Sequence, residues 1–80
     1  MIDSASPKVV LVSGSSGGLG RAVCRKFSSG GWTTVGADLV ASDSTQHVAD
    51  LTDVAGIEHV IDAVAREHGR LDGLVACAGV

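Results

Sequence analysis

Glycines and serines in the segment 13–20, which reads SGSSGGLG, are the residues whose types and spacing point most directly to chemistry. Gly14, Gly18 and Gly20 permit backbone conformations that a Cβ would hinder. Such a turn can present backbone N–H groups to an anion, and a helix that begins in it adds the positive end of its dipole. The spacing therefore predicts a phosphate-binding turn, although serine and glycine in a row also form plain flexible loops.

The residues on either side of this turn favour the phosphate-binding interpretation. Val9 to Val12 form a short, mostly β-branched run, as expected of a strand that is buried on both faces. The residues at helical spacing that follow are Leu19, Val23, Lys26 and Phe27. A strand, a glycine-rich turn and a helix make up the front end of a dinucleotide-binding unit. The alternative is an ordinary strand-turn-helix without a ligand.

Asp38 is the second candidate, because it ends the next predicted strand, 18 residues after Gly20. A carboxylate there can accept hydrogen bonds from both hydroxyls of an adenosine ribose, and it would repel a 2′-phosphate. It therefore favours NAD(H) over NADP(H). The alternative is a strand-end turn former, which is a common role of Asp. Arg21 could soften the cofactor preference, but we interpret it first as a solvated helix residue.

Two β-α-β units position these candidates, and the first runs from about residue 8 to 38 after an N-terminal tail, 1–7. Its helix is predicted to begin near Gly18 and to end at 28–31, where glycine supplies a left-handed C-terminal conformation. The following strand is predicted over 32–37.

The second unit starts with a polar connection, 41–46, that is too short for a full crossover helix. A brief strand over 47–49 leads to a turn in which Thr52 or Asp53 caps the next helix. Gly69 ends that helix. One face of the helix is predicted to carry Ile57, Val60, Ile61, Val64 and His68.

A last strand, 73–78, completes an α/β pattern of the Rossmann type, a doubly wound parallel sheet with right-handed crossovers. The first four strands of such a domain lie in the order 3-2-1-4, and we expect this chain to supply those strands of a larger domain. Ligands bind at the carboxyl ends of the strands, where the order reverses. Gly14, Asp38, Asp50 and the segment 78–79 are therefore expected along one crevice.

With these pieces placed, the chain after Pro7 resembles the N-terminal half of the short-chain dehydrogenase/reductase family. The first turn of that family typically reads Thr-Gly-x-x-x-Gly-x-Gly, which 13–20 matches with Ser13 in place of threonine. The resemblance continues through Asp38. It implies a nicotinamide cofactor and hydride transfer to or from a small alcohol or ketone.

Two later segments extend the resemblance. The family places an acidic residue against the adenine, which implies that Asp50 and Leu51 flank the adenine ring. The alternative is that Asp50 caps the entry of the following helix. Segment 71–79 also matches, except that 76–79 reads Ala-Cys-Ala-Gly where the family usually has Asn-Asn-Ala-Gly. This variant is similar to hydroxysteroid dehydrogenase and carbonyl reductase members, and dihydrodiol dehydrogenases and dihydropteridine reductases are also similar.

The resemblance implies specific cofactor contacts. Hydroxyls of Ser13 and Ser16 can bond the turn or the diphosphate, the backbone N–H of Leu19 would lie near the phosphates, and Gly20 would serve helix–strand packing. The cofactor-binding residues predicted in full are Ser13, Gly14, Ser16, Gly17, Gly18, Leu19, Gly20, Asp38, Leu39, Asp50, Leu51, Cys77, Ala78 and Gly79.

Composition narrows the remaining functions. Eighty residues make at most one small domain, for which core burial is only marginally sufficient. A net charge of −3 does not indicate nucleic-acid binding. No run is long and apolar enough for a membrane span or a signal peptide, so we expect a cytoplasmic location.

Cys24 and Cys77 are interpreted as buried thiols of a reducing compartment, and the alternative is that Cys77 is catalytic. The three histidines do not cluster, so no metal site is predicted.

No catalytic residue is predicted within 1–80. The family uses a Tyr-x-x-x-Lys pair and a Ser that lie beyond the segment resembled here, whereas this chain has no tyrosine and its lysines, Lys8 and Lys26, match no such motif. The leading hypothesis is the cofactor half of an NAD(H)-dependent oxidoreductase, which the family implies to be a homo-oligomer. The alternatives are a non-catalytic NAD(H)-binding or regulatory module and a structural piece complemented by another chain.

Overall fold

A computed structural model describes residues 6–77 of the chain. The elements, in chain order, are β1 (Val9–Ser13), α1 (Gly18–Ser29), β2 (Thr33–Asp38), β3 (His47–Val48), α2 (Val54–His68) and β4 (Gly73–Ala76). The four strands form one parallel sheet in the order β3-β2-β1-β4, which confirms the predicted topology. No helix within these residues has the length and apolar character needed to cross a bilayer.

Strand β1 lies at the centre of the sheet, with every residue buried and a parallel partner on each side. Its side chains alternate between the two faces. Val10 and Val12 pack with Cys24 of α1, whereas Leu11 packs with Val64 of α2. The apolar run before the glycines therefore supplies both halves of the core.

Both predicted cysteine positions are buried, and both thiols are free. Cys24 and Cys77 belong to the same core cluster as Val10 and Val12. Burial raises the pKa of the Cys24 thiol, and the neighbouring Cys77 raises it further. A buried thiol with a raised pKa is a poor nucleophile, in agreement with the structural interpretation of Cys24.

Both helices end at left-handed glycines, as predicted, but one residue of the predicted buried face of α2 is exposed. At the end of α1 the left-handed residue is Gly31, with φ 88°, while Gly30 keeps φ −85°. Gly69 ends α2 with φ 74°, as predicted. His68 does not join the buried face of α2 as predicted, because it is the last residue of the helix, where the chain turns away at Gly69, and it is exposed.

Several observed strand boundaries also differ from the predicted ones. Strand β2 begins one residue later than predicted and ends at Asp38, as predicted, and β3 is limited to two residues because only Ala37 and Asp38 pair with it. The described part of β4 ends at Ala76, and the predicted continuation to residue 78 lies partly outside the described residues.

Asp53 is the N-cap of α2, one of the two predicted candidates, and its side chain accepts a 3.2 Å hydrogen bond from the N–H of Ala55. Replacing Asp53 with alanine leaves that N–H without its cap, so we expect the free energy of unfolding to fall by about 1 kcal/mol. Urea denaturation measures the change. Asp62→Ala on the exposed face of the same helix is the matched control, and an equal loss in both variants would contradict the capping role.

A charged clamp that the sequence did not predict joins the ends of β1 and β4. Asp72 accepts bonds of 2.7 Å from both Nε and Nη2 of Arg70 and a 2.8 Å bond from the N–H of Val9. These bonds favour the ionised carboxylate, the Arg70 side chain most strongly, and lower the pKa of Asp72 from 3.8 to about 2.

This clamp predicts a specific pH dependence. Because the pKa of Asp72 is lower in the folded chain than its usual 3.8, the carboxylate stabilises the fold fully above that value and loses its effect as the pH falls towards 2. Asp72→Asn should therefore be less stable than the wild type at pH 7, and the difference should shrink below pH 4. Urea unfolding across this range tests it, with Asp62→Asn as the control; a difference that is constant with pH would contradict the assignment.

Candidate functional site

The glycine loop, residues 14–17, rests on the carboxyl end of β2. The N–H groups of Gly14 and Ser15 both donate to the carbonyl of Ala37, at 2.9 and 3.3 Å. Gly14 has φ 72°, a conformation that favours glycine, and its carbonyl accepts a 3.3 Å bond from the N–H of Gly17. The loop is therefore a defined turn that is fixed to the sheet.

Gly20 lets helix α1 lie directly against this loop. A Cβ at Gly20 would lie 2.0 Å from the carbonyl oxygen of Gly14, which is closer than any two such atoms can approach. A Cβ at Gly18 would meet nothing within 4 Å. The two glycines thus have opposite surroundings: one is required by packing, and the other faces open space.

The first turn of α1 is open towards the solvent. Its N-cap, Gly17, has no side chain to bond the N–H groups of that turn, and Gly17, Gly18 and Leu19 are all exposed. Such N–H groups, together with the helix dipole, can bind an anion. This turn is open enough to admit an anion, and its phosphate-binding role stays a prediction.

Asp38 is joined to the glycine loop, a contact that the sequence did not predict. Its Oδ2 accepts the N–H of Ser16 at 3.1 Å and the hydroxyl of Ser16 at 2.6 Å, and its Oδ1 accepts the N–H of Val40 at 3.2 Å. These bonds, the Ser16 hydroxyl first, hold the pKa of Asp38 below its usual value. The carboxylate therefore stays ionised, and the Ser16 hydroxyl bonds it. The bond of that hydroxyl to the turn or the diphosphate stays a prediction.

A cavity of about 250 Å³ opens beside Asp38. It is lined by Gly14, Asp38, Leu39, Ala49, Asp50, Leu51 and Thr52. Five of these residues belong to the predicted cofactor-binding set, and they come from three separate segments of the chain. Ala49 and Thr52 were missed, although both are direct neighbours of a predicted residue and could have been found by extending the 50–51 pair.

Asp50 closes the turn before α2 and does not cap that helix. Its Oδ1 accepts the N–H of Thr52 at 2.9 Å and the Thr52 hydroxyl at 2.6 Å, and the hydroxyl is the main cause of its lowered pKa. The alternative of Asp50 as a helix-entry cap is therefore wrong, because Asp53 occupies that position. Gly56 allows the close approach of α2, since a Cβ there would lie 2.2 Å from the carbonyl oxygen of Asp50.

The other predicted residues that the structure describes do not line this cavity. Ser13 is buried, and its carbonyl accepts a 3.0 Å bond from the N–H of Cys77. Ala78 and Gly79 lie outside the described residues. Arg21 is exposed, as predicted for a solvated residue, but its Nε also donates a 2.9 Å bond to the carbonyl of Ser16.

Comparison with known proteins places this geometry in a family. Residues 8–80 match the family model described as short chain dehydrogenase. The chain belongs to the short-chain dehydrogenase/reductase family. Its parallel sheet and helices agree with the fold of the solved structures of this family.

Individual relatives agree with that assignment. D-threitol dehydrogenase from Mycolicibacterium smegmatis is 33% identical over 91% of this chain and 34% of its own length. Aldohexose dehydrogenase from Thermoplasma acidophilum superposes with a TM-score of 0.83 at 28% identity, over 92% of this chain and 30% of that one. The 3-alpha-hydroxysteroid dehydrogenase from Pseudomonas sp. B-0831, solved with NADH, gives a TM-score of 0.70 at 39% identity, over 91% and 28%.

The chain spans about a third of the length of these relatives. Within residues 6–77 no group of three or more His, Cys, Asp or Glu side chains is arranged to hold a metal ion. The uncapped first turn of α1 offers backbone N–H groups and Asp38 offers an ionised carboxylate, an arrangement that can bind an anionic, hydroxyl-bearing ligand.

Proposed function

We propose that this chain forms the cofactor-binding part of an NAD(H)-dependent oxidoreductase that acts on a secondary alcohol or ketone. The observation that supports it most is the single cavity that Gly14, Asp38 and Asp50 share at the carboxyl edge of the sheet. Doubly wound sheets bind dinucleotides at this edge. When bound, the nicotinamide supplies the hydride acceptor or donor.

The residues of the cavity fit the adenosine end of such a cofactor. Leu39, Ala49 and Leu51 offer apolar contacts to an adenine ring, and the ionised Asp38 offers acceptors to the ribose hydroxyls. Asp38 already accepts three hydrogen bonds from the chain, while a carboxylate has about four acceptor positions. A ribose hydroxyl therefore bonds Asp38 beside these groups or replaces the hydroxyl of Ser16.

The glycine loop fits the diphosphate. The exposed first turn of α1 carries no side-chain cap, and open space surrounds Gly18. In this proposal the N–H groups of Gly18 and Leu19 face the phosphates, and Ser13, Cys77, Ala78 and Gly79 complete the contacts towards the nicotinamide. The division into a tail, 1–7, and a cofactor-binding part, 8–80, belongs to the same proposal.

The preference for NAD(H) over NADP(H) follows from charge. The lowered pKa of Asp38 keeps a negative charge at the ribose position, where a 2′-phosphate would be repelled. Arg21 is the nearby positive group, and it is tethered to the carbonyl of Ser16. We assign no catalytic residue within the chain, which has no tyrosine. The small-molecule alcohol or ketone substrate, the homo-oligomer and the cytoplasmic location are proposals that the family relationship supports.

A fluorescence titration of the protein with NADH and with NADPH tests the proposal. We expect saturable binding of NADH that is at least about tenfold tighter than that of NADPH, a difference of about 1.4 kcal/mol. A chain that circular dichroism shows to be folded and that binds neither nucleotide would overturn the proposal. Binding without carbonyl reduction by a version extended to the length of its relatives would favour the non-catalytic NAD(H)-binding module.

A further inference from the structure

The connection between β2 and β3 folds back against the glycine loop. Residues 42–46 of this connection, hereafter the strap, hold Ser15, which is completely buried. The hydroxyl of Ser44 donates a 3.0 Å bond to the carbonyl of Ser15, and the hydroxyl of Thr45 shares a 2.8 Å bond with that of Ser15. Two successive strap residues thus bond one buried loop residue.

Every polar group of Ser15 is engaged. Its N–H donates to the carbonyl of Ala37 at 3.3 Å, while its carbonyl and hydroxyl bond Ser44 and Thr45. The next residue along the chain, Ser16, bonds Asp38. The strap therefore fixes the peptide that leads directly to the exposed N–H groups of α1.

The strap is itself anchored on β2. The N–H of Gly36 donates to Oε1 of Gln46 at 2.6 Å, and the carbonyl of Gly36 accepts the N–H of Gln46 at 3.0 Å. Thr45 is held from its other side, because its hydroxyl shares a 2.9 Å bond with that of Ser42 and its N–H donates to the carbonyl of Ser42 at 3.1 Å. The hydroxyl that meets Ser15 therefore has a fixed position.

We propose that Ser44 and Thr45 are positioning residues for the diphosphate of the nucleotide, acting through Ser15. The inference rests on the proposed function for the identity of the ligand, but the contacts that carry it are independent of any ligand. When a strap hydroxyl is removed, the buried Ser15 loses a hydrogen-bond partner, which raises the free energy of the present loop conformation. The glycine loop then adopts other conformations as well. Binding is then weaker, because part of the binding free energy is used to order the loop.

Thr45→Val tests the proposal, since it removes the hydroxyl and keeps the shape of the side chain. We expect the dissociation constant for NADH to rise about tenfold, because the substitution removes the bond to the buried Ser15 hydroxyl together with the Ser42 bond that holds Thr45 in place. The ratio of NADH to NADPH affinity should stay unchanged, because Asp38 sets it. Backbone amides of residues 14–17 should also exchange faster with deuterium in the absence of nucleotide, and Thr45→Ser should restore both measurements.

Thr34→Val is the matched control. The hydroxyl of Thr34 shares a bond of similar length, 2.9 Å, with Ser28 at the far end of α1, so the same substitution removes the same kind of bond away from the loop. We expect it to leave NADH affinity and loop exchange within about twofold of the wild type. Equal effects of Thr34→Val and Thr45→Val would show a general loss of stability and overturn the proposal.

The two hypotheses fail separately. If the backbone amides of residues 14–17 exchange with deuterium at the wild-type rate in Thr45→Val, the role of the strap is overturned, regardless of the measured affinity for NADH. A folded wild-type chain that does not bind NADH overturns the proposed function, and faster loop exchange in Thr45→Val would still support the control of the loop by the strap. If Thr45→Val does not fold, Ser44→Ala is measured in the same way, since it removes the bond to the Ser15 carbonyl and a longer, 3.4 Å bond to the Ser42 hydroxyl.

Discussion

Asp38→Ala is expected to abolish the preference for NADH over NADPH and to weaken NADH binding about 10- to 100-fold, the range for losing hydrogen bonds to a charged group. The substitution removes the carboxylate that would accept the ribose hydroxyls and repel a 2′-phosphate. It also removes the partner of Ser16, so the adjacent loop loses a tie to β2. Parallel titrations with the two nucleotides measure both effects.

Two further variants separate these effects. Asp43→Ala changes the net charge by the same amount at an exposed position of the β2–β3 connection, and it should keep the preference. Ser16→Ala removes the loop contact through the hydroxyl but retains the Asp38 carboxylate, and it should also keep the preference. An Asp38→Ala variant that still favours NADH would refute the assignment of Asp38 as the residue that discriminates between the nucleotides.

Gly20→Ala is expected to cause the largest loss of stability, about 3 kcal/mol or more, because the clash is with backbone and no side chain can move aside. The added Cβ would lie 2.0 Å from the carbonyl oxygen of Gly14 and 2.9 Å from the Cα of Ser15. Either α1 or the glycine loop must then shift. Thermal and urea denaturation of the variant, followed by circular dichroism, measure the loss.

Gly18→Ala is the control for this prediction. It makes the same change two residues earlier, where a Cβ meets nothing within 4 Å, and alanine is the better helix former, so the free energy of unfolding should stay constant or rise slightly. Comparable stability of the two variants would show that the packing of α1 on the loop tolerates a methyl group at Gly20.

The elements that the sequence predicted correctly are those specified by local patterns. The apolar run 9–12 has no charged residue and forms the buried central strand, and the order of the four strands follows from the alternation of strands and helices. Asp53 and Gly69 lie at the two ends of α2, where capping preferences place such residues. Gly14, Asp38 and Asp50 line one cavity because the carboxyl ends of parallel strands share one edge.

The contacts that the sequence did not predict join residues that are distant in the chain. Ser16 bonds Asp38 across 22 positions, and Ser15 bonds Thr45 across 30. A hydroxyl has many possible partners, and its choice depends on how close the packed backbone brings them. The pair Arg70 and Asp72 is close in sequence, but its link to the N–H of Val9 depends on the pairing of β1 with β4.

The packing around Gly36 links the identity of one strand residue to the path of the following connection. A Cβ on Gly36 would lie 1.8 Å from the carbonyl oxygen of Ser44 and 2.6 Å from the hydroxyl oxygen of Ser15. A larger residue at 36 and the present route of 42–46 are thus mutually exclusive. For protein engineering, residue 36 and the strap must therefore be exchanged together. A longer β2–β3 connection that is grafted from a relative needs the matching residue at position 36 and a new hydrogen-bond partner for Ser15.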